Sequence, residues 1–229
     1  MKTYPRVLTI AGSDSGGGAG IQADIKAISA TGSYAASAIT AVTVRSSLDA
    51  FGITNVVLDP VMVATSGDRL IDEDAVKVLA EELAPYVRVI TPNIPEAEIL
   101  AGVKISSQDE LPLVGRQLSE RLSSVSGRKV SVLMKAGHLE DDELVDYFYN
   151  AEEDHTVELR SKRVFSRNTH GTGCTLSSAF ASYLAQGCGP DEAASRAKAY
   201  ISAAIEVGAE YIIGGGHGPV CHFYGLPGR

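Results

Sequence analysis

Short apolar runs recur along the chain at residues 38–44, 55–59, 87–91 and 130–136, and helical stretches lie between most of them. None of these runs alternates strictly between apolar and polar residues. That pattern suits strands covered on both faces, as in a parallel sheet. A further β-rich run, residues 6–11, stops at Gly12. Residues 19–31 place Ile21, Ile25 and Ile28 on one helical stripe, and residues 71–83 and 108–125 read as further helices. Residues 143–149 and 156–165 read as a β-hairpin around the polar turn Ala151-Glu152-Glu153-Asp154, and two helices follow over 175–186 and 191–207. Such alternation predicts an α/β fold with a central, mostly parallel β-sheet and helices on both faces. There is no internal repeat and no low-complexity linker, so one domain over residues 1–229 is expected.

One junction resists this scheme. Val44 should end a buried strand and Asn55 should begin the next, with only residues 45–54 between them. A parallel crossover takes about a dozen or more residues, usually with a helix. Residues 45–52 resemble only the last two turns of a helix, with Gly52 as its cap. The expectation is a segment absent between residues 44 and 45, most simply one that belongs to the polypeptide but is missing from the chain as read.

Composition excludes several classes. The net charge is −8, and no Lys/Arg cluster marks a nucleic-acid face. No apolar stretch is long enough to span a membrane. The N-terminal residues carry no apolar signal region, so a cytoplasmic protein is expected. Cys174, Cys188 and Cys221 have no metal-type spacing, and their odd number suits a reducing compartment.

The strongest chemical signal is Asn168-Thr169-His170-Gly171-Thr172-Gly173-Cys174-Thr175, a glycine turn leading into a helix. Glycines let backbone N–H groups converge, and a helix N-terminus adds partial positive charge. A phosphate or a developing phosphoryl charge would bind there; a glycine-rich helix start that serves packing is the alternative. Cys174 falls in the first helical turn, where a thiolate is favoured. It reads equally as a proton acceptor or as a small buried residue. His170 reads as a turn or supporting residue rather than a base.

Other loops sit at the carboxyl ends of expected strands, where α/β proteins bind ligands. Residues 11–24 are glycine-rich and end at Asp24, which could accept hydrogen bonds from a flat ligand. The pattern is neither a Walker A loop nor a strict dinucleotide fingerprint. Asp59 ends a buried strand, where a carboxylate needs a partner or a metal. Asn93 and Glu96 could hold Mg²⁺ through waters, whereas Glu98 reads as an ordinary helix carboxylate. Lys135 ends another buried strand and could neutralise a phosphate.

Together these residues resemble the hydroxymethylpyrimidine/phosphomethylpyrimidine kinase family of thiamine biosynthesis. The match rests on Gly12-Ser13-Asp14, residues 17–24, Asp59-Pro60-Val61-Met62, Thr91-Pro92-Asn93 with Glu96-Ala97-Glu98, Met134-Lys135-Ala136-Gly137-His138, residues 168–175 and Gly216-His217-Gly218-Pro219-Val220. It runs almost the whole chain. The resemblance implies a ribokinase-like fold, ATP with Mg²⁺, and phosphorylation of 4-amino-5-hydroxymethyl-2-methylpyrimidine and then of its monophosphate. It implies that Gly12, Ala19, Asp24, Thr43, Val61 and Cys174 line the pyrimidine pocket. Gly171, Thr172, Gly173 and the Cys174 amide would form an anion hole, with Cys174 where ribokinase relatives carry an aspartate base. Asn93, Glu96, Lys135 and Asp59 would serve the Mg²⁺-ATP phosphates. A small-molecule pyrimidine partner and a homodimer are expected, with no nucleic acid or membrane. Two features depart from the family pattern. Its Gln-Asn-Thr stretch and Lys-Ile-Gly-Met-Leu strand are missing at the difficult junction, and Thr65 replaces a frequent lysine before Ser66-Gly67-Asp68. Pyridoxal or pyridoxine kinase and a silent pyrimidine-binding protein are the alternatives. B6 kinases of this kind carry Thr-Gly-Gly at residues 135–137 and aspartate at 174, unlike this chain.

Overall fold

The computed structural model describes residues 5–14, 16–38, 48, 50, 52–62, 83–137, 139, 142–212 and 215–226. In chain order the elements are β1 (Arg6–Ile10), α1 (Gly20–Ala30), β2 (Tyr34–Ala38), β3 (Val56–Leu58), β4 (Val87–Ile90), α2 (Ile94–Ala101), α3 (Leu111–Ser126), β5 (Ser131–Met134), β6 (Glu143–Asn150), β7 (His155–Lys162), α4 (Thr172–Ala185) and α5 (Pro190–Gly208). Thr43, the Val44/Arg45 junction, Thr65, Ser66-Gly67-Asp68, His138 and residues 71–82 of an expected helix lie outside the described residues.

The chain divides into two compact units, residues 1–44 with 164–229 and residues 45–163. In the first unit β1 and β2 pair in parallel, from Arg6 opposite Tyr34 to Ile10 opposite Ala38. Strand β2 is not marked in the sequence, and the strand expected over residues 38–44 lies, beyond Ala38, outside the described residues. The β2 residues Tyr34-Ala35-Ala36-Ser37-Ala38 are mostly small and poor in β-branched side chains, so propensity gives little signal there. Helix α1 buries Ile21, Ala23, Ala27 and Ile28, and α4 buries Leu176, Ala179 and Phe180. Small residues on both helices allow close approach. At the far end of that contact a hydroxyl cluster closes it: Thr31 Oγ1 donates to Ser182 Oγ at 2.7 Å, and Ser182 Oγ donates to Ser33 Oγ at 2.8 Å.

The second unit holds a five-stranded sheet in the order β3-β4-β5-β6-β7. The pairs β3–β4 and β4–β5 are parallel, and β5–β6 and β6–β7 are antiparallel. The strands therefore form two sheets among the described residues, with three parallel pairs and the expected hairpin at residues 143–162. Helix α3 presents Leu111, Val114, Leu118 and Leu122 to a core that includes Ile90, Val132, Met134 and Val145. Spacings of three and four residues put those side chains on one helix face. Because β3, β4 and β5 run in the same direction, the residues that follow them, Asp59, Thr91 to Asn93 and Lys135, come out at one edge of this sheet.

Candidate active site

In the first unit, Gly171 adopts a left-handed conformation (φ 78°) and starts α4 with no side-chain cap. A Cβ on Gly171 would collide with the Gly18 carbonyl oxygen, so this turn tolerates no other residue. Thr172 Oγ1 donates to the Thr169 carbonyl, and Thr175 N donates to Gly171 O at 2.9 Å. Thr172, Gly173 and Cys174 thus occupy the first three helical positions, three residues earlier than the sequence pattern suggested. Thr172 N donates back to Thr169 O at 3.4 Å; N–H groups in a first helical turn otherwise lack intrahelical acceptors. Cys174 is half-buried and outside any disulfide.

The glycine loop packs on this turn. Asp14 accepts hydrogen bonds from Gly16 N at 3.1 Å, Gly18 N at 2.8 Å and Ala19 N at 2.8 Å. Its Oδ2 also lies 3.1 Å from His170 Nε2. These N–H donors, Ala19 first, bring the Asp14 pKa down to about 2. Gly18 touches the His170 ring so closely that a Cβ would come within 2.7 Å of it. A third segment joins here: His170 N donates to Gly218 O at 3.1 Å, and Asn168 Nδ2 donates to Gly208 O and Tyr211 O, both at 2.6 Å. Behind the helix start, Thr175 Oγ1 is 3.1 Å from Nε2 of buried His222. Burial pushes the His222 pKa down to about 4.

Asp24 faces into this unit. Its Oδ2 accepts from Thr9 Oγ1 at 2.6 Å and its Oδ1 from Ser178 Oγ at 2.8 Å, so one carboxylate joins β1, α1 and α4. Both oxygens accept hydrogen bonds inside the protein. Gly12 also has an internal role, since its carbonyl accepts Ile21 N at 3.0 Å at the start of α1. Ala19 stands immediately before α1, held by its N–H to Asp14.

In the second unit, Lys135 Nζ lies 2.8 Å from Asp59 Oδ1, and both residues are largely buried. Thr91 Oγ1 donates to the same oxygen at 3.3 Å. Lys135 N donates to Pro92 O at 3.0 Å, which extends β4–β5 pairing into the loops. Asn93 and Glu96 form a reciprocal capping box: Glu96 N donates to Asn93 Oδ1 at 3.0 Å, and Asn93 N donates to Glu96 Oε2 at 2.8 Å. Glu96 Oε1 accepts Met62 N at 3.4 Å. Glu96 is fully buried, and its pKa is raised, chiefly by burial; Lys135 opposes that and Asp59 adds to it. The two residues expected to hold magnesium therefore cap α2 directly. The signature Asn-x-x-Glu ahead of an apolar run, with Pro95 in the first turn, was present in the sequence as a helix start. Among the described residues, Asp59 Oδ2 is the carboxylate oxygen of this group with no partner. Oxygen donors suit a hard cation such as Mg²⁺, and Asp59 Oδ2 is the one this group leaves open. Val61 is exposed, next to buried Met62. Glu98 anchors the loop after α2, accepting from Lys104 Nζ at 2.7 Å and Ile105 N at 2.9 Å.

A family model described as phosphomethylpyrimidine kinase matches residues 14–54 and 43–221. The chain belongs to this kinase family. The thiamine biosynthesis bifunctional protein of Geobacter sulfurreducens is 41% identical over 268 residues, covering 96% of this chain and 53% of that protein. The chain thus spans about half the length of that relative. The hydroxymethylpyrimidine/phosphomethylpyrimidine kinase of Rhizobium meliloti is 41% identical over 263 residues, covering 95% of this chain and 96% of the relative. Among solved structures, an ADP complex of Bacillus subtilis pyridoxal kinase is 26% identical and matches with a TM-score of 0.81, covering 96% of this chain and 98% of that one. The family and these neighbours carry the ribokinase-like α/β fold. Among the described residues no helix is long and apolar enough to cross a membrane.

Proposed function

We propose that the protein transfers the γ-phosphoryl group of ATP to the hydroxymethyl group of 4-amino-5-hydroxymethyl-2-methylpyrimidine, and then to the resulting monophosphate. The observation that carries this reading is the uncapped start of α4 at left-handed Gly171, in a chain of the phosphomethylpyrimidine kinase family. Phosphoryl transfer depends mainly on positioning and charge stabilisation. Backbone N–H groups of Gly171, Thr172, Gly173 and Cys174 serve the transferred group. Lys135 and Asp59 serve the nucleotide phosphates and their metal, and Glu96 with Asn93 holds that loop in shape. Mg²⁺, when bound, neutralises charge that develops on the phosphate oxygens. For the first step Cys174 takes the hydroxyl proton. The second step needs no strong base, because the attacking phosphate oxygen is already anionic. The family pattern assigns Gly12, Ala19, Val61 and Thr43 to the pyrimidine, Thr43 lying outside the described residues, while Asp24 braces α1 against β1 and α4. The family pattern also suggests a homodimer acting in the cytoplasm.

The two units form a single kinase domain in this proposal, with a segment of the family missing between residues 44 and 45. The alignment with the Rhizobium relative runs over 263 positions, whereas 95% of this 229-residue chain is about 218 residues. About 45 positions therefore face no residue here. The family model matches in two overlapping pieces that meet at residues 43–54, where the crossover is too short. An intact mass of the natural gene product near 24.0 kDa makes the loss genuine; a heavier product supplies the segment.

ATP consumption measured separately with the hydroxymethylpyrimidine, its monophosphate and pyridoxal tests the main reading. Turnover confined to pyridoxal would favour the B6 alternative, which the likeness to Bacillus subtilis pyridoxal kinase keeps in view. Turnover with none of them, alongside retained pyrimidine binding, would reject a kinase.

A further inference from the structure

We propose that Asp14 is a positioning residue for phosphoryl transfer, acting through His170 to fix the glycine turn against the glycine loop. The proposal deepens the kinase reading and rests on it for its activity arm. The two loops are 156 positions apart in sequence, so no local hydrogen bond sets their register. Two things do so. The first is steric: Gly18 and Gly171 interlock, each lacking the side chain that would displace the other loop. The second is polar. One carboxylate gathers the N–H groups of Gly16, Gly18 and Ala19 from its own loop, and His170 Nε2 from the turn. An ionised carboxylate only accepts, so His170 carries its proton on Nε2. Asp14 itself is held from behind, its N–H donating to Gln22 Oε1 at 3.0 Å, while Gln22 Nε2 donates to Ser13 Oγ at 2.7 Å. His170 is pinned in turn through its backbone to Gly218 and by pairing with Pro219.

The consequence is chemical. Ala19 stands on the loop assigned to the pyrimidine, and Gly171 to Cys174 form the turn assigned to the phosphoryl group. Asp14 joins the two by hydrogen bonds, one from Ala19 N itself and one from His170, the residue before Gly171. Misplacing reacting groups by an ångström costs about 10²-fold in rate, so a slack joint should appear in turnover before it appears in nucleotide binding.

The test compares Asp14→Ala, His170→Ala and the double variant with the wild type. We expect Asp14→Ala to lower kcat by about 10- to 100-fold and to raise KM for the pyrimidine, with KM for ATP unchanged. Asp14→Asn, which keeps an acceptor for the turn, should fall between it and the wild type. The double variant should lose no more than the worse single variant, because both break one linkage. Additive losses, or an equal rise in both KM values, would overturn the proposal and leave Asp14 a brace for its own loop. A second readout does not need activity: the iodoacetamide alkylation rates of the three cysteines, followed by peptide mass. Asp14→Ala should change the Cys174 rate by about threefold or more, since thiol reactivity follows its helix-terminal environment, and leave Cys188 and Cys221 unchanged. An unchanged Cys174 rate, or an equal change at all three, would overturn it. A wild-type protein with no pyrimidine turnover would defeat the kinase reading alone, and the alkylation result would still decide the role of Asp14.

Discussion

Lys135 Nζ lies 2.8 Å from Asp59 Oδ1, and the two residues follow strands that β4 separates within one sheet. The pair places a cation and a carboxylate at the edge where β3, β4 and β5 end. Lys135→Met should lower turnover by about 10²–10³, checked in the coupled ATP assay. It should also destabilise the fold by on the order of 3 kcal/mol, because a largely buried Asp59 is left unpaired. Adding Asp59→Asn should recover much of that loss in urea unfolding while turnover stays low. If the double variant is less stable than both single variants, the pair is not the unit that matters.

Cys174→Ala separates the two phosphorylations. General-base assistance accounts for about 10²–10⁴ in rate, so the first step should fall by at least the lower figure. Phosphorylation of the monophosphate should change by only a few-fold. Single-turnover measurements with each substrate decide this, and equal losses in both steps reject the base role.

Asp24 is expected to report on folding before binding. Asp24→Asn turns an amide NH₂ toward Thr9 or Ser178, whose hydroxyls donate to the carboxylate. The mismatch should cost about 1–3 kcal/mol, read as a lower urea midpoint at unchanged slope. KM for the pyrimidine, measured per folded molecule, should hardly move. A large KM effect with wild-type stability would return Asp24 to the pocket.

His222 gives the fold a pH dependence. Burial lowers its pKa to about 4, against about 6.5 in an unfolded chain. Between these values the unfolded state binds a proton that the native state refuses, so stability falls as pH falls. The loss is complete near pH 4 and amounts to on the order of 3 kcal/mol. Above pH 6.5 it vanishes. His222→Gln, which keeps a polar partner for Thr175, should flatten this part of the urea-midpoint profile. Parallel profiles for the two proteins would show that other groups set it.

Local patterns in the sequence announced much of this structure. The hairpin at 143–162 was legible because an acidic turn separates two β-rich runs. The turn at Gly171 was legible because its glycines precede an apolar helix. Strand β2 was not legible because alanine and serine carry little strand signal. Asn93 and Glu96 were read as metal ligands although their three-residue spacing also marks a helix start, and the oxygens that would attract a cation are the ones that attract backbone N–H groups. The internal donors of Asp24 were not legible for a similar reason: nothing local reveals that Thr9 and Ser178 supply them. The link between Asp14 and His170 was invisible, because chain folding alone brings two such distant loops together.

The interlock of Gly18 and Gly171 has a consequence for how the family can drift. Gly127, also left-handed at φ 67°, has open space where a side chain would go. A saturation library should therefore accept asparagine at 127, a residue that tolerates this backbone region. At 171 the space is filled by the Gly18 carbonyl, so the same library should return glycine alone. Position 18 should empty with it, since any side chain there meets the His170 ring. Two positions that look like ordinary loop glycines would then behave, under selection, as a single inherited character.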